Sequence, residues 1–163
     1  MITLGGLHDV MQAAFGWWDC HLHEWDVNGA EYGMADVDDW NDQPAADENG
    51  VRLCDVAGEG TKLAYWYDFG DDWRHQLIVE KVMPVERGVT YPQLVAGKRA
   101  CPPEDVGGTW GYENFLQAIA DPEHEEHDEY LEWCGGRFDP DDAKLDGFDA
   151  RLAGQAEARA AHP

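Results

Sequence analysis

The stretch TKLAYWYDFGDDWRHQLIV at residues 61–79 contains the pattern that decides the fold. Aromatic and aliphatic residues alternate on both sides of Gly70-Asp71-Asp72, a combination typical of two strands joined by a tight turn. We therefore expect strands over 61–69 and 74–82. The second strand has apolar residues on both faces, which favours a central place in a sheet over an edge.

A second hairpin is predicted upstream of the first. Residues 21–27 alternate, so that both histidines, Trp25 and Val27 share one face. Asn28-Gly29 is a strong signal for a two-residue hairpin turn. Residues 30–34 are therefore expected to return as the partner strand.

An amphipathic helix is predicted before this hairpin, because apolar residues recur there at helical spacing. These residues are Leu7, Val10, Met11, Ala14, Phe15 and Trp18. Thr3 is placed to cap the start of the helix, and Gly16 to weaken its end.

Helices are also predicted in the second half of the chain. One covers 112–120, and another opens at Asp121-Pro122 and runs to about Cys134. Gly135-Gly136 is the expected stop of that second helix. Asp139-Pro140 repeats the start signal.

The other segments complete a single α+β domain over residues 1–163, with helices packed on a mainly antiparallel sheet. Residues 36–50 are expected to form a loop and 51–56 a short strand. Residues 84–110 are expected to be irregular, and 149–163 to form a frayed helical tail.

Composition restricts the classes of function. The net charge of -23 repels phosphate backbones, so we expect no direct binding of nucleic acid. No apolar run approaches the ~20 residues of a membrane span and no basic leader is visible, which favours a cytoplasmic protein. The four cysteines form no CxxC pair, so free buried thiols are expected. The acidity serves solubility or reflects a salty cytoplasm.

Four segments of the chain resemble the plasmid pRi ORF-three-like family, whose members are also described as passenger proteins of insertion elements. They lie within residues 7–140 and read LHDVMQAAFGWWDCHLHEW at 7–25, YWYDFGDDWRHQLIVEKV at 65–82, GKRACPPEDVGGTWGYENFL at 97–116 and EWCGGRFDP at 132–140.

The resemblance implies an α+β sheet with helices packed on it, and no established activity. It also implies a further strand, with a basic Trp-Arg-Arg stretch, upstream of the Leu7 helix. That segment is absent from this sequence, so we expect an unpaired sheet edge where it would lie.

Candidate metal ligands lie on the two hairpins. His21 and His23 would share a strand face at a spacing that can chelate a transition metal. Asp72 and His75 supply further ligands at the turn of the second hairpin, so a divalent metal is the cofactor to consider. The structural alternative is that both strand histidines are hydrogen-bonded beside Trp25.

Candidate catalytic residues combine acid, base and nucleophile types. They are Asp68, Asp71 and His75 on the hairpin and Cys101 and Glu104 in the irregular stretch. If there is a functional pocket, we expect it where the His21/His23 strand, the hairpin and this stretch meet.

A purely structural role is the alternative for the hairpin. In that interpretation Asp71 and Asp72 make turn hydrogen bonds, and Asp68 pairs with Arg74.

These observations favour an accessory protein of plasmids or mobile elements that acts as a binding or interaction module. The competing class is a metal-dependent hydrolase that uses the His/Asp cluster. Nucleic-acid binding is a third, weaker class, against which the acidic charge argues. The expected partner is a protein, or a second copy bound through the exposed sheet edge.

Overall fold

A computed structural model describes the backbone of residues 1–34 and 45–161, with side chains to residue 157. The fold is α+β. The described helices are α1 Leu4–Phe15, α2 Leu53–Val56, α3 Gly108–Ala120, α4 His127–Trp133 and α5 Phe148–Ala161. The described strands are β1 His23–Val27, β2 Ala30–Gly33, β3 Ala46–Asp47, β4 Lys62–Tyr67 and β5 Trp73–Ile78.

The chain divides into two compact units. The first comprises Met1–Met11 and Asp19–Gln93, and contains the sheet. The second comprises Gln12–Trp18 and Leu94–Pro163, and contains α3, α4 and α5.

Helix α1 begins and ends as predicted. The hydroxyl oxygen of Thr3 accepts a hydrogen bond from the amide of Gly6 at 3.0 Å, which satisfies one of the orphan amides of the first turn. After Phe15, Gly16 adopts a φ of 79°, a left-handed conformation that commonly ends a helix.

The sheet of the first unit has the strand order β3-β2-β1-β4-β5. The β2–β3 pairing is parallel and the other pairings are antiparallel. Asn28 and Gly29 have φ values of 56° and 81°, as expected for the predicted hairpin turn. Trp25 lies opposite Tyr65, and Tyr65 lies opposite His75. The face that holds Trp25 and Tyr65 is buried and forms the core of this unit.

The prediction that β5 is a central strand is wrong, because β5 lies at one end of the described strand order. Its outward residues Arg74, Gln76 and Ile78 are exposed, while Trp73, His75 and Leu77 are half-buried. Ile78, the apolar residue on this second face, is 52% exposed in the described structure.

Two predictions for residues 36–56 are wrong within the described part. Residues 51–56 do not form a strand: Arg52 donates to Asp55 at 2.7 Å and 3.0 Å across the turn of the short helix α2. The predicted loop is interrupted by β3 and by a 3-10 helix over Glu48–Gly50. Residues 35–44 lie outside the described residues.

The second unit is built around Phe115 of α3, which is fully buried. Its ring packs edge-on against Phe138, Tyr130 and Trp133, with centroids 5.1–5.8 Å apart. Helix α3 starts at Gly108, four residues earlier than predicted. These contacts make an aromatic core that links α3 to α4 and to the segment after it.

The predicted second helix of this region starts late. Asp121 accepts a hydrogen bond from the amide of Glu123 at 3.0 Å, which forms a local turn, and α4 begins only at His127. The predicted stop is confirmed, since Gly135 and Gly136 have φ values of 84° and 91°. Asp139 likewise binds the amide of Asp141 and starts no helix there.

Candidate functional site

Asp68 organises the predicted hairpin turn. Its Oδ1 accepts hydrogen bonds from the amides of Gly70 at 2.9 Å and Asp71 at 3.2 Å, while its own φ is 53°. Arg74 donates to Asp72 at 2.8 Å. The predicted pairing of Asp68 with Arg74 is therefore wrong. Asp68, which precedes the turn, accepts the hydrogen bonds of the turn amides, and Arg74 pairs with Asp72 instead.

The two histidines of the His-x-His pair make different contacts. His21 lies just before β1, with Nε2 3.6 Å from Asp68 Oδ2. His23 lies in β1, with Nε2 2.9 Å from Glu48 Oε2. The described structure thus separates the pair into two groups.

His75 lies on the inward face of β5, where its ring centroid is 5.7 Å from that of Tyr65. Burial lowers the pKa of His75 below 6.5, partly offset by backbone hydrogen bonds of Tyr65 and Trp73. Within residues 1–34 and 45–157, neither His75 nor Asp72 belongs to a group of three potential metal ligands.

A histidine cluster that sequence reasoning missed lies under the sheet of the first unit. His8 of α1 stacks on His23 with ring centroids 3.6 Å apart and 12° between planes. His8 Nε2 is 2.8 Å from Asp19 Oδ1, and His8 Nδ1 is 2.8 Å from the hydroxyl of Tyr65. With the Glu48 contact of His23, five polar side chains form one cluster, in which the two hydrogen-bonded groups meet through the stacked histidine rings.

The apolar pattern of the helix did not indicate this cluster. It placed the core face on Leu7, Val10, Met11, Ala14, Phe15 and Trp18. In the structure Leu4, His8 and Gln12 are fully buried and Trp18 is 77% exposed. Buried polar side chains are costly unless they have partners, and the partners of His8 and His23 depend on long-range contacts that the sequence does not show.

The second unit contains a cavity of about 400 Å³ with aromatic and proline walls. Its lining includes Phe15, Trp17, Trp18, Trp133 and Phe138, together with Pro102, Pro103, Glu104, Asp105, Lys144 and Arg151. These two neighbouring tryptophans differ in exposure, since Trp17 is buried and Trp18 is 77% exposed.

Two hydrogen bonds fix the loop of residues 101–105 along this cavity. The indole nitrogen of Trp17 donates to the carbonyl of Pro102 at 2.9 Å. The amide of Trp18 donates to Glu104 Oε2 at 2.6 Å. Glu104 is thus a buried carboxylate held by a backbone amide, an arrangement that orders the cavity wall.

Cys101 and Glu104, both predicted as catalytic residues, line this same cavity. Burial, and then the charge of Glu104, raise the pKa of the Cys101 thiol to about 12. The thiol is therefore protonated near pH 7, and only the thiolate is a good nucleophile. The environment of Cys101 argues against nucleophilic catalysis. A single site that joins these residues to the hairpin stays a prediction.

The basic residues at the cavity are already engaged. Arg151 donates to the carbonyl oxygens of Ala13 at 2.6 Å, Asp146 at 2.9 Å and Lys144 at 3.0 Å. The ammonium of Lys144 lies 5.4 Å from the ring centroid of Phe138. Both cations thus stabilise the wall.

Comparison with known proteins agrees with this architecture. Residues 1–147 match the family of plasmid pRiA4b ORF-3-like proteins. The chain belongs to this family. It is 44% identical over 135 residues to the uncharacterized protein y4hQ of Sinorhizobium fredii, covering 82% of this chain and 69% of that protein. The resemblance over residues 7–140 is therefore confirmed.

A solved structure shares the fold of this ORF-3-like protein. The crystal structure of MM3350 from Methanosarcina mazei, a protein of unknown function, superposes with a TM-score of 0.76 at 38% identity. The match covers 86% of this chain and 79% of the other. Separately, none of the described helices is long and apolar enough to cross a membrane.

Proposed function

We propose that this ORF-3-like protein is a binding module that takes a small planar aromatic molecule in the cavity of its second unit. The observation that supports this function is the cavity of about 400 Å³ lined by five large aromatic side chains. Ligand pockets typically measure about 300–1,000 Å³ and are mainly apolar with a few fixed polar groups. Trp18 and Trp133 are both partly exposed at this cavity, so their ring faces can stack on a ligand.

Charge favours a neutral or cationic ligand over an anionic one. In the lining, the two basic residues Lys144 and Arg151 offset the charges of two acidic residues, Glu104 and Asp105. The preferred charge of the ligand is therefore set by the net charge of the whole chain. At -23 that charge repels anions from the surface. The faces of indole rings also attract cations, by about 0.5–2 kcal/mol.

The enzymatic alternative has less support. A metal-dependent hydrolase that uses the predicted ligands requires them to converge, and no described group of three potential ligands contains Asp72 or His75. The predicted ligands are His21, His23, Asp72 and His75. The protonated thiol of Cys101 also disfavours a covalent mechanism.

The family name supports one biological setting for the binding module. An accessory role on a plasmid or mobile element, inside the cytoplasm, is consistent with membership of the plasmid ORF-3-like family. Self-association is a second interaction that we propose, through β5 at the end of the strand order, because strand edges pair readily with another chain.

The cavity proposal is tested with three related probes at pH 7.5: quinoline, which is neutral, N-methylquinolinium, which is cationic, and quinoline-2-carboxylate, which is anionic. Binding is measured by isothermal titration and by saturation-transfer NMR. Saturable binding of the first two probes is expected, with weaker binding of the carboxylate. Tight binding of the carboxylate alone, or of none of the three, would contradict the proposal.

A matched pair of variants locates the binding. Trp18→Ala removes an exposed stacking surface from the cavity, and a loss of about 1–2 kcal/mol, or about 5–30-fold in Kd, is expected. Trp110→Ala removes an indole that is 83% exposed and does not line the cavity, so its Kd should stay within about twofold of the wild type. Equal effects of the two changes would place the probes elsewhere.

A further inference from the structure

The histidine cluster of the first unit has the composition of a metal site. One ligand atom each from His8, Asp19 and His23 lie within 4.8 Å of one another. The ligands come from three different segments, namely α1, the segment after it and β1. Two imidazoles and a carboxylate are a donor set typical of divalent transition metals.

In each imidazole, the ring nitrogen that would not bind the metal already contacts a buried side chain. Glu48 and Tyr65 are both buried, and they contact His23 Nε2 at 2.9 Å and His8 Nδ1 at 2.8 Å. In metalloproteins a ligating histidine almost always donates its other ring N–H to a carboxylate, a backbone carbonyl or a water molecule, which fixes its tautomer and orientation.

His23 Nδ1 is the atom whose environment most directly indicates that the cluster binds a ligand. It is buried and has no hydrogen-bond partner among the residues that the structure describes, although His23 is only 6% exposed. The carboxylate of Glu48 lies 2.9 Å from Nε2, and the tautomer that carries its proton at Nε2 presents a lone pair at Nδ1. A buried polar atom without a partner is destabilising, and a cation bound there would remove that cost.

The electrostatic environment suits a cation. The carboxylates of Asp19 and Glu48 together supply two negative charges at this cluster, which match the charge of a divalent ion.

We propose that His8, Asp19 and His23 bind a divalent first-row transition-metal ion, with Glu48 and Tyr65 as positioning residues. His23 ligates through Nδ1. His8 ligates through Nε2 after its ring proton moves to Nδ1, where the Tyr65 hydroxyl accepts it, so the net protonation of the cluster does not change.

Metal binding requires a rearrangement of the cluster. Two ligands of a tetrahedral ion at 2.0–2.1 Å lie about 3.3 Å apart, whereas His8 Nε2 lies 2.8 Å from Asp19 Oδ1 and the three potential ligand atoms lie within 4.8 Å of one another. The stacked rings of His8 and His23, 12° from parallel, must also tilt so that both lone pairs point to one ion. The side chain of Asp19 is 38% exposed and can move to close the site. Its exposure also leaves a path for water to a fourth coordination position.

The test uses tag-free, full-length protein stripped with EDTA. Zn²⁺ binding is measured by equilibrium dialysis, and Co²⁺ binding by its visible absorption bands. One ion per chain is expected, with the band intensity of a low-coordinate site. Absence of stoichiometric binding of both ions to the wild type overturns the metal site and leaves a cluster held by packing and hydrogen bonds alone.

Variants identify the ligands. His23→Gln should weaken Zn²⁺ binding by about 100-fold or more and Asp19→Asn by about 10–100-fold, while His75→Gln, outside the cluster, should leave it unchanged. Asp19 is partly exposed, so its variant decides the matter if His23→Gln fails to fold. Equal affinity of Asp19→Asn and the wild type overturns the assignment.

Glu48→Gln distinguishes positioning from ligation. The variant keeps a hydrogen-bond acceptor for His23 Nε2 but removes the charge. A change in the Co²⁺ spectrum with a loss of about 10–100-fold in affinity is expected for a positioning residue. An unchanged spectrum and affinity refute that role for Glu48.

Discussion

Replacing Phe115 by alanine should cost the second unit a large part of its stability. The ring is fully buried, and truncating a buried Phe typically costs about 3–5 kcal/mol. Three edge-on partners lie 5.1–5.8 Å from it, and aromatic pairs add about 0.5–1.5 kcal/mol each beyond burial. Since such terms are not additive, we expect a loss of about 4–5 kcal/mol.

Urea unfolding followed by far-UV circular dichroism and tryptophan fluorescence measures this loss. Proteins of this size have about 5–15 kcal/mol of stability, so the variant should unfold at a much lower urea concentration. Trp110→Ala on the same helix is the control, because an exposed side chain should change stability by no more than about 0.5 kcal/mol. A cost below about 1 kcal/mol for Phe115→Ala would refute the aromatic core described for this unit.

Three further predictions concern thiol reactivity, pH and a glycine. Iodoacetamide at pH 8 should label the exposed Cys54 and spare Cys101, whose thiol has a pKa raised to about 12; peptide mass mapping measures both. Burial lowers the pKa of His75, so the unfolded chain binds more protons than the folded protein below about pH 6.5. The free energy of unfolding should therefore fall on acidification by up to about 1.4 kcal/mol per pH unit. This slope should be smaller in His75→Gln. Gly111→Ala should lower the thermal midpoint, because its Cβ would collide with the Val106 carbonyl.

Each of these predictions has a control. Gly58→Ala adds a Cβ that meets no atom within 4 Å, so equal destabilisation by both glycine changes would refute the steric argument. Rapid labelling of Cys101 in folded protein would contradict its protonated, buried state. A slope of the unfolding free energy that is the same in His75→Gln would remove His75 from the pH dependence.

Local sequence signals predicted the elements whose ends depend on nearby residues. Thr3, Gly16 and the Asn28-Gly29 turn act within a few residues of their own positions, and the structure confirms all three. The fold class followed from these elements and from their spacing.

Features that depend on distant partners could not be read from the sequence. Whether β5 lies at the centre or the edge depends on which strands pair with it, and its apolar residues fit either place. The strand predicted over residues 51–56 is an exception, because the contact that accompanies the short helix found there, Arg52 with Asp55, is local. The contacts of His8 with Asp19 and Tyr65, by contrast, join segments 11 and 57 residues apart.

The turn at Asp68 limits which mutations this hairpin can accumulate. A residue with a φ of 53° is tolerated mainly as Gly, Asn or Asp, and two amides need the side-chain oxygen of Asp68. Asparagine keeps that oxygen and removes the charge that faces His21. If only the turn geometry were under selection, asparagine would be accepted as readily as aspartate. Selection for the negative charge would exclude asparagine. A saturation library at this single codon, scored for folded protein, would show whether asparagine is tolerated as well as aspartate.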